Sequence, residues 1–210
     1  MIPNILLVGL GGIGSNLLEL VAPALNRCGL EANISIMDDD LVDESNLGHQ
    51  RFSKEDIGVT KVIALSNRLD SLSKVSILPI EEKLTNMSQL DDYDFIIVAV
   101  DRMAPRQLVH NSRAQWLDLR CQGDGYVVLD NSTEPDIITM IPGNENATSC
   151  QIEGAYEFQN IEFGFSICAT IGAQWLFQKI RQFHGYETKT PSFQMGSITN
   201  GELRLSGVTH

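Results

Sequence analysis

Short apolar runs recur along the chain, each closed by glycine, an acid or a helical stretch. Ile5-Leu6-Leu7-Val8 is the first, an unbroken run of the kind a strand buried on both faces needs. Gly9-Leu10-Gly11-Gly12-Ile13-Gly14 follows at once. Leu17, Leu18, Leu20, Val21 and Leu25 then repeat at helical spacing. Ile34-Ser35-Ile36-Met37 predicts a second strand, stopped by Asp38-Asp39-Asp40. Residues 41–52 are polar, mixed and aperiodic, and read as a long functional loop. Ser53 to Asp56 predicts a short helix with Ser53 as cap and Asp56 at the capping-box position. From Lys61 onward, Val62, Ile63, Leu65 and Leu69 share one side of a helix, with Asn67, Arg68 and Asp70 on the other.

Val75 to Ile80 predicts a strand and 81–92 a polar link or short helix. Phe95-Ile96-Ile97-Val98-Ala99-Val100 is the most apolar run and the best central-strand candidate; it ends at Asp101. Pro105 to Leu117 reads as a helix with proline in its first turn. Tyr126–Leu129 and Ile137–Ile141 read as strands, Pro142 to Asn146 as a turn-rich break, and Glu153 to Asn160 as a short helix. Ser166 to Phe183 is a strong apolar helix. Phe193–Ile198 and Glu202–Leu205 are β-like, with Asn200-Gly201 between them as a hairpin signal. Strands alternating with helices predict an α/β fold: a Rossmann-like, doubly wound, mainly parallel sheet with antiparallel strands in the C-terminal half.

Composition narrows the classes. The chain has 210 residues, enough for about one domain with a sizeable core, and 43% are apolar. A net charge of −12 argues against wrapping nucleic acid and against anionic membranes. No apolar run approaches the ~20 residues of a membrane span. The first strand begins at once, so no signal peptide is expected. Cys28, Cys121, Cys150 and Cys168 are scattered without a CxxC pair, which fits reduced thiols and a cytoplasmic protein.

Chemistry enters through the first forty residues. A glycine turn between a strand and a helix lets a phosphate approach the backbone, and the helix start offers free N–H groups and a positive dipole end. An acid after the second strand can accept hydrogen bonds from ribose. Gly9, Gly11, Gly12 and Gly14 with Asp38 are therefore candidate nucleotide ligands. The bland alternative is a turn that only packs helix against strand. Asp101, at the end of a central parallel strand, stands where open α/β sheets bind ligands.

Several motifs fall in one order: Gly9-x-Gly11-Gly12-Ile13-Gly14-Ser15, Asp38-x-Asp40-x-Val42, Ser45-Asn46-Leu47-x-x-Gln50, Asp56-Ile57-Gly58-x-x-Lys61, and Asp101-x-x-x-x-Arg106. In these the chain resembles the ThiF/MoeB/ubiquitin-activating-enzyme superfamily over about residues 5–112. The resemblance continues more weakly to the helix 166–183, through Gly172-Ala173-Gln174. Trp116-Leu117-Asp118-Leu119, Ser149-Cys150 and the closing hairpin are similar to short ThiF-type proteins of PRTRC-like gene systems. The resemblance implies a single domain over 1–210, with an ATP-binding half at 1–112 and a carrier-binding and dimerisation half at 113–210. It implies ATP-dependent adenylation of the C-terminal carboxylate of a small ubiquitin-like carrier protein, with ATP and magnesium as cofactors and a homodimeric assembly.

By similarity, Gly11 and Gly12 offer N–H groups to phosphate, Asp38 holds ribose with help from Asp40, and Asn46 contacts phosphates. Lys61 neutralises the triphosphate and Asp101 takes magnesium, a hard cation that prefers carboxylate oxygen. Each has a plainer alternative. Asp38 can cap a loop, Lys61 can be a solvated helix residue, Asp101 can cap the next helix, and Asn46 can stabilise its own loop. Arg106 reads as structural, holding a loop or a carboxylate. His110 and His184 read as surface or packing residues.

Departures from the family pattern stand beside these. His49 replaces the arginine usual before Gln50, and is a poorer phosphate clamp; Arg51 is a candidate substitute. Arg102 follows Asp101 where asparagine is usual, and the N-terminal arginine-bearing helix of many relatives has no counterpart. The family's paired CxxC motifs are absent, so no structural zinc is expected. Cys150 is a candidate thiol nucleophile or an ordinary loop cysteine. Nothing adjacent in sequence lowers its pKa, and Glu145 and Glu153 would raise it if close. Cys168 reads as core. Two other functions compete: a ThiF-type fold that binds nucleotide or protein without chemistry, and an NAD-dependent oxidoreductase, which leaves Lys61 and Asp101 idle.

Overall fold

The computed structural model describes residues 1–141, 150–152 and 154–202. β1 (Asn4–Val8) alternates strictly: Ile5 and Leu7 enter one core, Leu6 and Val8 the other. α1 (Gly12–Cys28) leaves directly from the glycine turn and ends on Gly29 in the left-handed conformation, where side chains are disfavoured. β2 (Ala32–Met37) returns beside β1, α2 (Lys61–Leu69) follows, and β3 (Val75–Ile80) forms one edge. β4 (Phe95–Val98) pairs on the other side of β1, in register from Ile5 with Phe95 to Val8 with Val98.

α3 (Met103–His110), β5 (Gln115–Gln122), β6 (Gly125–Asp130), α4 (Pro135–Met140), α5 (Gly164–Phe183), β7 (Gln194–Ser197) and β8 (Gly201–Glu202) complete the described elements. The sheet order is β3-β2-β1-β4-β5-β6-β7-β8. Pairing is parallel through β5, then antiparallel from β5 to β8, as the sequence predicts. α1, α2 and α5 supply one core and α3, α4 and the 84–90 turn the other, so the sheet is covered on both faces. No helix among the described residues is long and apolar enough to cross a membrane.

Three expectations need correction. The helix expected over Pro105 to Leu117 stops at His110, and 115–122 is strand β5. Its side chains alternate: Leu117, Leu119 and Cys121 join one core, while Trp116 joins the other beside Asp118 and Arg120. The strand expected over Ile137–Ile141 is helix α4, with Pro135 at its start and the neighbour position on β6 occupied by β7. Residues 154–160 form hydrogen-bonded turns rather than a helix. The 54–56 turn carries its capping box on Ser53 and Asp56 as read. Pro142 to Asn146, Glu145, Glu153 and most of the last strand lie outside the described residues.

Candidate functional site

The C-terminal ends of β1, β2 and β4 converge on one cavity of about 870 Å³. β1 is the switch point, with its two neighbours reached in opposite directions, and open α/β sheets bind ligands there. Gly9, Gly11 and Gly12 line it. Gly14 does not, and its role is packing: a Cβ there would fall inside the Gly9 carbonyl oxygen. Around the position a Cβ on Gly11 would take, nothing lies within 4 Å. That open space at a helix start is where a phosphate can meet backbone N–H groups. Ser15 Oγ donates to the Gly11 carbonyl at 2.7 Å and accepts from the Arg51 N–H at 3.1 Å, fixing the turn to the long loop.

Asp38 and Asp40 both line the cavity, in different ways. Asp38 accepts from the Leu10 N–H at 2.6 Å and from the Asp40 N–H at 2.9 Å, so its carboxylate ties the glycine turn to the end of β2. Burial raises its carboxyl above the usual range, opposed by Lys61 and by those two N–H groups. Lys61 opens α2, is 6% exposed, and its Nζ pairs with Asp40 at 2.9 Å. Its backbone N–H donates to the Asp40 carbonyl at 3.0 Å, which fixes both partners. Burial of an ammonium beside one solvent-facing carboxylate leaves it available to a second anion.

Asp101 stands just past β4 on the cavity wall, exposed, with no side-chain hydrogen bond among the described residues. A free carboxylate at that rim suits a magnesium ion. Asp38, Asp39 and Asp40 also bring carboxylate oxygens within 4.8 Å of one another. Asn46 is placed otherwise: its Oδ1 accepts from the Asp43 N–H at 3.0 Å, closing a capping box, and it does not line the cavity. The Arg51 side chain is 53% exposed and faces Glu19 at 3.7 Å, also off the cavity. His49 is buried on the cavity wall rather than solvent-facing.

Two groupings escaped the sequence. Asp118, fully buried on β5, pairs with Arg106, with Arg120 at 2.7 Å and with His110 Nε2 at 3.0 Å. Arg106 also donates to the Val100 and Leu119 carbonyls, so it pins the end of β4 to β5 and is structural, as read. The His110 ring stacks on Trp116 with centroids 4.4 Å apart. The second grouping is thiol chemistry. Cys121 and Cys150 both line the cavity. The neighbouring Cys121 thiol holds Cys150 below its ordinary value, against burial and the Asp101 charge and aided by Arg106 and the Ile13 N–H; Cys150 and burial raise Cys121 in turn. Cys150 thus has the neighbours that its own stretch of sequence lacks. Cys168 is core, pushed up to about 12 by burial.

A second cavity, of about 580 Å³, opens at the opposite rim beside β3. Of its charged lining residues Glu31, Asp70 and Lys74, Lys74 and Glu31 pair with each other at 3.2 Å, and it gathers no comparable chemistry.

The chain is similar to several known proteins. Across 151 residues the chain is 30% identical to the ubiquitin-activating enzyme E1-like protein of Saccharomyces cerevisiae, covering 69% of this chain and 22% of that protein. It is 30% identical over 113 residues to the adenylyltransferase and sulfurtransferase UBA4 of Yarrowia lipolytica, covering 52% and 27%. The chain therefore spans about a quarter of the length of these relatives. Among solved structures, E. coli MccB with ATP matches with a TM-score of 0.67 at 17% identity, covering 92% of this chain and 59% of that one. The E. coli tRNA N6-threonylcarbamoyladenosine dehydratase TcdA with AMP matches at 0.60 and 15% identity, covering 88% of each. At such identities the likeness concerns the fold. The ThiF family profile matches residues 3–205, and the chain belongs to the ThiF family.

Proposed function

We propose that this chain is an ATP-dependent adenylyltransferase that activates a carboxylate at the C-terminus of a small ubiquitin-like protein or peptide. The observation that carries this reading is the convergence of Gly11, Lys61 and Asp101 on one cavity at the switch point of the sheet. The relatives named for adenylyltransferase activity support it, as does the likeness to MccB solved with ATP.

The chain's own groups account for the reaction as positioning and charge balance. N–H groups at the start of α1 bind phosphate, and Lys61 balances triphosphate charge. Asp38 takes up a ribose hydroxyl with Asp40 assisting, since each Asp38 oxygen keeps a lone pair beyond the one backbone N–H it accepts. Asp101 would hold magnesium, which supplies charge neutralisation at the phosphates. A carboxylate oxygen of the substrate then attacks the α-phosphorus, an O–P bond forms, the bond to the β-phosphate oxygen breaks, and pyrophosphate leaves. Cys150 accepts the acyl group in this reading: its sulfur attacks the acyl carbon, the bond from that carbon to the phosphate oxygen breaks, AMP departs, and Cys121 and Arg106 favour the thiolate.

ATP–pyrophosphate exchange is the test. Exchange that depends on a ubiquitin-fold protein or peptide with a free C-terminal carboxylate supports the proposal; ATP binding without exchange for any such substrate removes it. One observation favours the alternative of a binding protein without chemistry: Arg51 faces Glu19, leaving the triphosphate fewer cations than the sequence offers. Tight NAD binding with no ATP binding would instead indicate the oxidoreductase.

A further inference from the structure

Beside the glycine turn stands an imidazole whose two nitrogens meet different surroundings. His49 is 6% exposed and lines the cavity. Its Cδ2–Nε2 edge faces the first turn of α1, where the position of a Cβ on Gly12 lies 3.4 Å from Cδ2. The opposite edge is tied back. Nδ1 lies 2.6 Å from the Tyr156 hydroxyl. The Tyr156 hydroxyl in turn donates to the Ser45 carbonyl at 3.2 Å. The Gln50 amide nitrogen beside Nε2 can only donate, so Nε2 carries the lone pair and Nδ1 the hydrogen, which the tyrosine oxygen accepts. The Gln50 amide Nε2 lies 3.3 Å from His49 Nε2, while Gln50 Oε1 is buried without a hydrogen-bond partner. A lone pair turned to the cavity repels a phosphate oxygen. The same nitrogen, once protonated, donates to one.

We propose that His49 is a proton-coupled phosphate ligand: nucleotide binding draws one proton from solvent onto Nε2, and Tyr156 fixes the ring so that this nitrogen faces the phosphates. This rests on the nucleotide reading above. One N–H bond forms at Nε2, the proton coming from water or buffer, and Gln50 Oε1 or a phosphate oxygen over Gly12 accepts it. The groups facing the ring are Lys61 from α2, Tyr156 from the 154–160 turns, Gln50 on its own loop and the uncharged edge of Phe165 from α5. In the free protein, burial and then Lys61 keep His49 below its usual range, against the Leu47 carbonyl. A bound polyphosphate reverses that balance, so affinity rises as pH falls between the free and bound values.

Calorimetric titration of magnesium–ATP at pH 7.5, in buffers of low and high ionisation enthalpy, reads the proton directly. The expected result is a buffer-dependent heat equivalent to uptake of up to about one proton per nucleotide, absent in His49→Gln. His49→Arg should bind with no uptake, and its affinity should stay flat with pH where the native protein's changes by up to about tenfold per unit. Nucleotide binding with buffer-independent heat overturns the inference, and so does uptake that survives His49→Gln. Absence of heat with any nucleotide overturns the nucleotide reading and this inference with it.

Discussion

The Lys61 ammonium, with its side chain 7% exposed, stands 2.9 Å from Asp40, whose own side chain is 64% exposed. The pair is thus asymmetric: the cation is fixed in the wall and the anion is free to turn. Lys61→Ala should weaken magnesium–ATP binding about 10–100-fold, the range of one lost charge-assisted hydrogen bond. Lys61→Arg should not restore it fully, because a planar guanidinium does not reproduce the position of a compact ammonium. Titration calorimetry decides, and unchanged affinity in Lys61→Ala would remove this lysine from the site.

Gly11 and Gly14 should separate binding from folding. Gly14→Ala drives a methyl into the Gly9 carbonyl and should cost about 1–3 kcal/mol or more of stability in chemical denaturation. Gly11→Ala adds its methyl to open space at an ordinary negative φ, so stability should stay within about 0.5 kcal/mol while nucleotide binding is lost. Equal destabilisation by the two would contradict the assignment.

Asp101→Asn should abolish the magnesium dependence of pyrophosphate exchange and lower its rate about 10²–10³-fold, the scale of a lost electrostatic contact at a reacting phosphate. The measurement is exchange rate against magnesium concentration with ATP held saturating. A variant whose magnesium response matches the native protein would place the metal elsewhere.

His110 makes folding sensitive to acid. Burial, then Arg120 and Arg106, hold its pKa down to about 4, because Asp118 already meets two guanidiniums. The neutral ring donates Nε2–H to Asp118. A depressed histidine binds protons in the unfolded chain first, so stability should fall as pH drops from about 6.5 to about 4, by on the order of 3 kcal/mol, and be fully present above that window. Denaturation midpoints measured across the window should flatten in His110→Gln. A native profile with no slope there would refute the effect.

The N-terminal half was legible because its signals are local. The apolar run before Gly9, the acids ending β2 and the run ending at Asp101 each lie in continuous sequence, and the parallel sheet places their ends together. Asp118 and Arg120 were not legible as partners. The helix expected over Pro105 to Leu117 hides the start of β5, so the alternation of Asp118 and Arg120 just beyond it has no strand to belong to, and their partners Arg106 and His110 arrive from α3. Ile137–Ile141 reads as strand because a short apolar run is ambiguous; Pro135, two positions before it and at the start of the helix, is the sign that decides it. Asn46 and Arg51 show the opposite limit. Their motif spacing predicts phosphate contacts, yet the loop directs Asn46 inward to its own cap and Arg51 outward to Glu19.

Because strands β1 to β5 all point the same way, the turn at 70–73 and the connection at 111–114 lie at the rim away from the nucleotide cavity. Ser71 is exposed there. A fluorescent label on a thiol introduced there by Ser71→Cys, with exposed Cys28 replaced by serine, would report unfolding and tumbling away from the ligand, so one labelled preparation could serve both the stability and the binding measurements.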